Sequence, residues 1–369
     1  MQTSTEKYIF FIGTVAEFIK LFPVINAFKE KRIDFEIFAS GQNDIEKSEI
    51  FSYLNLKKPE LTLSTGPKNK TVFSTFVWFL KTFLLSLIKI HRYVKHRQYK
   101  NVTVIVHGDT LSTLMGAYVS KLLGFRIVHV EAGLRSFNVL HPFPEEISRV
   151  LVSYVVDLHF CPNEWALANI KTRKGRKTNT YSNTLLESLK LAKKVKPKND
   201  TLNLANKRPF FIFIIHRQEN LYNSNRLQYF LNCAEQLTHT IHCVLILHDP
   251  TKVVLERRGL LAAIINNPNI TAIPRQSYFD FMRMLELSEY IITDGGSNQE
   301  ESFYLGKPCL ILRNHTERME GLGQNVVLWN NGRTSIINFA KNYKKYSREP
   351  VEYLKAPSEI ICDELLNGK

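Results

Sequence analysis

Three acidic positions and one histidine stand at the places where an α/β chain does its chemistry. Asp109 follows the apolar run at 102–106, Glu131 closes the run at 126–130, and Glu145 opens the helix-forming segment beyond it, with Glu146 beside it. His216 ends a third run, FFIFII at 210–215. Carboxylates can take up or deliver a proton, and an imidazole can donate a hydrogen bond or hold an anion, so the set suits general acid–base work on a charged substrate. Any one of these acids could instead cap the following helix, and Glu145 after Pro144 sits where a first-turn glutamate is favoured. Their recurrence at successive strand ends favours catalysis.

The elements that must position them read as alternating strands and helices. YIFFI at 8–12 is a buried strand broken by Gly13 and followed by a helical pattern over 16–30. A glycine at such a turn lets a ligand approach the backbone, and the helix start beyond it attracts phosphate. FEIFA at 35–39 is a second strand, and a long helix pair is expected over 72–99. Strands at 102–106 and 126–130 with a helix between them form a βαβ unit of a parallel sheet. LHFC at 158–161 is a further strand, followed by helices over 163–173 and 184–193. A second set follows, with strands at 210–215, 243–247, 270–273, 290–293 and 309–312, nearly all ending in polar or glycine residues. The polar stretch 193–207 reads as a linker. The expected fold class is therefore α/β, with two Rossmann-like domains, 1–192 and 193–369, facing a central cleft, and with the last helix free to pack back on the first domain.

At 369 residues the chain exceeds the usual range of a single core. Its formal net charge of +15 gathers in runs such as 89–100, 171–177 and 193–198. Such runs are solvated helix ends in most proteins, and the alternative is an anionic partner. No aromatic-basic or zinc-finger pattern accompanies them, which argues against nucleic acid; a nucleotide ligand or an acidic membrane surface fits the charge. The five cysteines are scattered without metal or disulfide spacing, as in a reduced cytoplasm. The first residues lack the order of a signal peptide. VFSTFVWFLKTFLLSLI at 72–88 is very apolar but short for a span and interrupted by Lys81, so it reads as a buried or surface-docked helix, with interfacial membrane contact as the alternative.

A set of short motifs, in order, carries a family resemblance. Gly13-Thr14 with Glu17, His107-Gly108-Asp109-Thr110, the segment from His129 to Arg135, Pro144-Glu145-Glu146 with Arg149, Ser182-Asn183-Thr184, His216-Arg217 with Glu219-Asn220, Thr293-Asp294-Gly295-Gly296 with Gln299-Glu300-Glu301, Gly306-Lys307-Pro308, and Thr316-Glu317-Arg318 together resemble UDP-N-acetylglucosamine 2-epimerases. The resemblance implies a GT-B-like pair of domains that bind a UDP-sugar, a homodimer, and interconversion of UDP-N-acetylglucosamine and UDP-N-acetylmannosamine with no metal and no cofactor, supplying precursors for surface polysaccharide. It implies Asp109, Glu131 and Glu145 as proton carriers, without assigning them to faces of the sugar, and His216 at the leaving diphosphate with Arg135 as a further cation. Gly13, Arg217, Gly295, Gly296, Ser297, Glu301 and Arg318 are then nucleotide-binding candidates, Glu301 toward a ribose hydroxyl and Arg318 toward phosphate or uridine.

The chain departs from the family in places. Where the family reads Gly-Thr-Arg-Pro-Glu this sequence has Gly13-Thr14-Val15-Ala16-Glu17, so a cation is missing and Lys20 is the substitute at hand. The glycine motif places its serine last, as Gly295-Gly296-Ser297, and Asn43-Asp44 follow Gly41-Gln42 where histidine and arginine are usual. The competing readings are a hydrolysing 2-epimerase, which releases free sugar, a glycosyltransferase on the same scaffold, and a non-catalytic binding module.

Overall fold

The computed structural model describes residues 6–67, 71–139, 143–195, 208–316 and 318–367. The chain divides into two compact units, residues 1–188 with 353–369, and residues 189–352. In the first, the elements run β1 (Lys7–Ile12), α1 (Val15–Glu30), β2 (Phe35–Ala39), α2 (Glu49–Tyr53), β3 (Leu61–Thr62), α3 (Val72–His96), β4 (Val102–His107) and α4 (Leu111–Leu122). They continue through β5 (Arg126–Val130), α5 (Glu145–Val152), β6 (Leu158–Cys161), α6 (Glu164–Asn169), β7 (Arg176–Asn179) and α7 (Thr184–Lys193), inside which the division falls. Most of the stretch read as a linker, residues 196–207, lies outside the described residues.

The seven strands form one parallel sheet in the order β3-β2-β1-β4-β5-β6-β7. Strand order reverses between β1 and β4, and ligands of open parallel sheets collect outside the carboxyl ends at such a switch. Both faces of the sheet are covered, so β1 and β4 are buried throughout their length and read as continuous apolar runs. Gly13 stands at the end of β1 because nothing larger fits: a Cβ there would lie 1.9 Å from Ser112 Oγ.

The second unit begins with β8 (Phe210–Ile214), α8 (Gln218–Leu221), α9 (Ser224–Leu237), β9 (His242–Leu247), α10 (Asp249–Arg257), α11 (Leu261–Ile265), β10 (Ile270–Pro274) and α12 (Tyr278–Leu287). It ends with β11 (Ile291–Thr293), α13 (Gly296–Tyr304), β12 (Cys309–Ile311), β13 (Val326–Leu328) and α14 (Ile336–Lys341). Its parallel sheet has the order β10-β9-β8-β11-β12-β13, with the switch between β8 and β11. The last helix, α15 (Pro357–Asn367), belongs to the first unit. There Tyr8 donates to the Leu365 carbonyl at 3.3 Å and the Ser358 amide donates to Glu187 at 3.0 Å.

One feature of this region differs from the sequence reading. Residues 72–96 form one continuous 25-residue helix, not a helix pair, because no proline or glycine interrupts them. Of the two placements the sequence left open, buried or surface-docked, the helix takes the second. Its inward row is Trp78, Thr82, Ser86, Ile90 and Val94, two of them small hydroxyl residues, while Phe73, Phe76, Leu80, Leu84 and Ile88 face solvent.

Two histidines sit side by side in the first sheet, where His129 of β5 is the register partner of His159 of β6. Burial pushes both from the ordinary 6.5 down to about 4. The unfolded chain therefore binds more protons than the folded one between those values, and stability falls as pH drops from about 6.5 toward 4. Each histidine contributes a slope of about 1.4 kcal/mol per pH unit in that window. Urea unfolding across this range should give a shallower acid-side slope for His159→Gln than for the parent; an unchanged slope would show that His159 is already charged in the folded protein.

Candidate active site

The carboxyl edge of the first sheet is built around charges that neutralise one another. Thr14 caps α1 in a capping box with Glu17. Glu17 also accepts from the Gly13 amide at 2.8 Å and from the Thr110 and Thr113 hydroxyls at 2.6 and 2.9 Å, tying the turn after β1 to the start of α4. Burial raises its pKa, and these donors oppose the rise. Glu17 is thus a fastening for the loop.

One turn further along α1, the Lys20 ammonium pairs with Glu131 Oε2. The Asn183 side-chain amide donates to the same oxygen, and His107 Nε2 lies 3.8 Å from it. Lys20 and Glu131 are both more than nine-tenths buried. Lys20, expected to replace a missing cation at a diphosphate, holds the candidate base instead. Glu131 has a φ of 65°, in the left-handed region, which takes its side chain out of the alternation of β5.

Asp109, directly after the turn at Gly108, accepts from Arg149 Nε at 2.9 Å. Arg149 also meets Glu146 at 3.4 Å and feels the charge of Glu131. The structure thus sets Asp109 and Glu146 against one guanidinium. The adjacent acids of α5 divide their work. Glu146 is fully buried and accepts from Arg135 Nε at 2.6 Å, the Ser136 amide at 2.9 Å and the Phe137 amide at 3.3 Å. Burial works against its ionised form, but the Ser136 amide and Arg135 prevail and hold its pKa below the usual range. Glu145, one residue earlier, is half-buried at the start of α5. Arg135 therefore serves as the clasp of this loop, with its guanidinium 5.0 Å over the Phe137 ring.

In the second unit the centre is Asp294, fully buried after β11. It accepts from the amides of His216 and Arg217, both at 3.0 Å, and from the Asn220 side chain at 2.9 Å, while His216 Nδ1 lies 3.0 Å from its Oδ1. Burial resists its ionisation, and the His216 contact and these donors outweigh it and lower the pKa. An imidazole with Nδ1 set against a carboxylate has Nε2 as its other ring nitrogen for a further partner. His216 is stacked on His248, with ring centroids 4.8 Å apart. Burial, then the proximity of His216, pushes His248 down to about 4, leaving it neutral at pH 7.

The glycine motif opens α13 with Gly295 as N-cap and no side-chain cap, so the first-turn amides point outward with Ser297 exposed beside them. Glu301 is buried and accepts from Asn298 at 3.0 Å. Arg318 pairs with buried Glu300, while Gln299 donates to the Arg318 and Glu320 carbonyls at 3.0 Å each. The Arg318 guanidinium therefore anchors its loop to α13, and Arg217 contributes its backbone amide to Asp294. Among the described residues no cluster of three His, Cys, Asp or Glu side chains is arranged to hold a metal ion.

The residues to which sequence reasoning assigned no role are the partners: Asn183, Arg149, Glu146, Asp294, Glu300 and His248. Arg149 had a signal, since it stands one turn beyond two adjacent acids.

The model for the family described as UDP-N-acetylglucosamine 2-epimerase matches residues 26–357. The UDP-N-acetylglucosamine 2-epimerase of Methanocaldococcus jannaschii is 30% identical over 371 residues, covering 95% of this chain and 96% of the relative. The UDP-2,3-diacetamido-2,3-dideoxy-D-glucuronate 2-epimerase of Pseudomonas aeruginosa is 32% identical over 324 residues, 85% of each chain. Among solved structures, the M. jannaschii UDP-GlcNAc 2-epimerase in complex with UDP-GlcNAc and UDP superposes with a TM-score of 0.76 at 28% identity, covering 99% of this chain and 100% of that one.

The two glutamates of α5 should separate on substitution. Glu146→Gln removes the negative partner of two arginines and should lower the unfolding free energy by about 3 kcal/mol, whereas Glu145→Gln should cost less than about 1 kcal/mol. Urea denaturation measures both, and equal losses would contradict the division of labour.

Proposed function

The chain belongs to the UDP-N-acetylglucosamine 2-epimerase family, and we propose that it interconverts UDP-N-acetylglucosamine and UDP-N-acetylmannosamine by loss and return of UDP. The proton on C2 of the sugar is not next to a carbonyl, so removing it alone would leave an unstabilised carbanion. If the C1–O bond to UDP breaks as the proton leaves, the electron pair of the C–H bond becomes the C1–C2 double bond of a 2-acetamidoglucal. Return of UDP to C1, with a proton delivered to the opposite face of C2, completes the inversion. Two faces require two positioned proton carriers.

Asp109 and Glu131 are the carboxylates best supported for this work, because each faces a cation, Arg149 and Lys20 respectively, at the sheet's switch point. That paired arrangement is the observation that carries the proposal. Glu145, at the start of the neighbouring helix, is the third candidate. In the second unit, His216, braced by Asp294, is assigned to the leaving diphosphate, the first-turn amides of α13 to phosphate oxygens, and Glu301 to the ribose. Gly13 keeps the first unit's turn open to ligand, and Arg135 and Arg318 act by fixing loops. Five buried free thiols support assignment to the reducing cytoplasm.

Proton NMR of UDP-N-acetylglucosamine in deuterated water should show deuterium at C2 and the manno epimer as product. Asp109→Asn and Glu131→Gln should each slow that exchange 10²- to 10⁴-fold while UDP affinity stays within about threefold. His216→Ala should weaken UDP binding about tenfold or more. Free amino sugar with UDP as product would identify a hydrolysing enzyme, and UDP release that depends on an added acceptor would identify a transferase.

The solvent-facing side of α3 is assigned to a second copy of the chain. Phe73, Phe76, Leu80, Leu84 and Ile88 recur at three- and four-residue spacing on a helix whose inward row holds Thr82 and Ser86, so the more apolar side lacks a cover. Light scattering should give twice the chain mass, and Leu80→Glu with Leu84→Glu should give the single mass. A monomeric parent that sediments with anionic but not zwitterionic vesicles would reassign the face to a membrane, which the exposed His91, Arg92, Lys95 and Arg97 would favour.

A further inference from the structure

Backbone strain in this protein is concentrated at the proposed site. Of the described non-glycine residues with positive φ, Arg32, Asn55 and Gln98 end helices, where a left-handed residue closes the last turn, and Asn330 and Asn331 are asparagines, which tolerate the conformation. Glu131, Phe137 and Tyr181 remain; Glu131 and Phe137 lie in the segment after β5 and Tyr181 in the one after β7, with β6 between those strands, all at the carboxyl edge of the first sheet. Glu131 is accounted for by its cation and amide partners. Phe137 and Tyr181 are aromatic, strained and exposed, at 67% and 77%.

Phe137 is held in this conformation deliberately. Its amide donates to buried Glu146, its ring lies under the Arg135 guanidinium, and its edge meets Trp165, with centroids 6.3 Å apart at 80°. Trp165 is itself 45% exposed on α6. The loop and that helix are fastened together: a Cβ on Gly133 would lie 2.1 Å from the Ala166 carbonyl, and Asn169 donates to the Gly133 carbonyl at 2.9 Å. Glu146, which pins Phe137, also meets Arg149, and Arg149 holds Asp109. The aromatic pair is thus two side chains removed from a candidate proton carrier, on the same sheet edge.

We propose that Phe137 and Trp165 form a shelf on which the pyranose ring of the nucleotide sugar stacks, and that Phe137 is a specificity-determining residue. The inference rests on the nucleotide-sugar reading above. The electron-rich face of an aromatic ring attracts the weakly positive C–H bonds on one side of a pyranose, and apolar area leaves water as they meet. Arg135, drawing on the Phe137 ring, fixes the tilt of the shelf. UDP alone has no pyranose and gains nothing from it.

Phe137→Gly separates this role from a structural one, since glycine adopts φ 56° without strain. The melting temperature should stay within about 2 °C of the parent. KM for UDP-N-acetylglucosamine should rise roughly three- to tenfold, with UDP affinity within twofold, and Phe137→Tyr should restore KM. Tryptophan fluorescence should respond to UDP-sugar but not to UDP, and the response should vanish in Trp165→Phe. An unchanged KM in Phe137→Gly, equal losses for UDP and UDP-sugar, or a large fall in melting temperature would each overturn the shelf. A parent enzyme that binds UDP but turns over no UDP-sugar would overturn the reading on which it rests.

Discussion

Four charges of the first unit, on Lys20, Asp109, Glu131 and Arg149, stand largely or partly out of water at one edge of a parallel sheet. Each is tolerable there because a charge of opposite sign touches it. Desolvation makes this arrangement expensive and so makes it specific: removing one partner would leave its mate uncompensated. The local folding follows from that constraint. α1 must present Lys20 one turn after the glutamate of its capping box, β4 must end at a glycine turn so that Asp109 reaches Arg149, and α7 must begin where Asn183 meets Glu131. The capping box of Thr14 and Glu17 sets the first of these distances, and Glu146 sets the second by holding Arg149 from the other side.

The second unit meets the same problem with one buried acid. Asp294 gathers three donors from the segment after β8, two of them backbone amides, and its Oδ1 lies 3.0 Å from His216 Nδ1. The neighbouring His248 is kept neutral by burial, so the stacked pair does not bring two positive charges together. A second imidazole nitrogen beside uncapped helix amides is a fitting place for a pyrophosphate, whose charge is spread over several oxygens.

The alternation of strands and helices was legible because both sheets are covered on both faces, and fully buried strands such as YIFFI and FFIFI are long apolar runs. β7 was not legible. Its sequence, RKTN, is polar because it lies at the edge of the sheet, and only its pairing with β6 makes it a strand. The acids at strand ends were visible as chemistry, and the resemblance named them, but letters alone could not separate Glu145 from Glu146 or show that Lys20 points at Glu131. The second fact depends on a contact between residues 111 positions apart, and the first on how the loop at Arg135 and Ser136 folds back onto α5. For the helix over 72–96 the sequence left burial and surface docking open, because apolar content reports burial only when the apolar side faces the core, and here Thr82 and Ser86 face inward while leucines and phenylalanines face out.

A left-handed φ at a bulky or β5-terminal residue costs of order 1–3 kcal/mol, and the first unit bears that cost three times within one sheet edge. For Glu131 the return is direction. A carboxylate continuing the alternation of β5 would point along the pleat, whereas the reversed backbone swings it toward α1 and the turn at Gly108, where Lys20 and Asn183 meet it. For Phe137 the return is a fixed loop, since its amide donates to buried Glu146 and its ring meets Arg135 and Trp165, while the Tyr181 amide donates to Asn179 at 2.7 Å. Both rings nonetheless stay mostly in water, and an exposed aromatic held in one conformation at the carboxyl edge of a parallel sheet stands where a ligand would meet it.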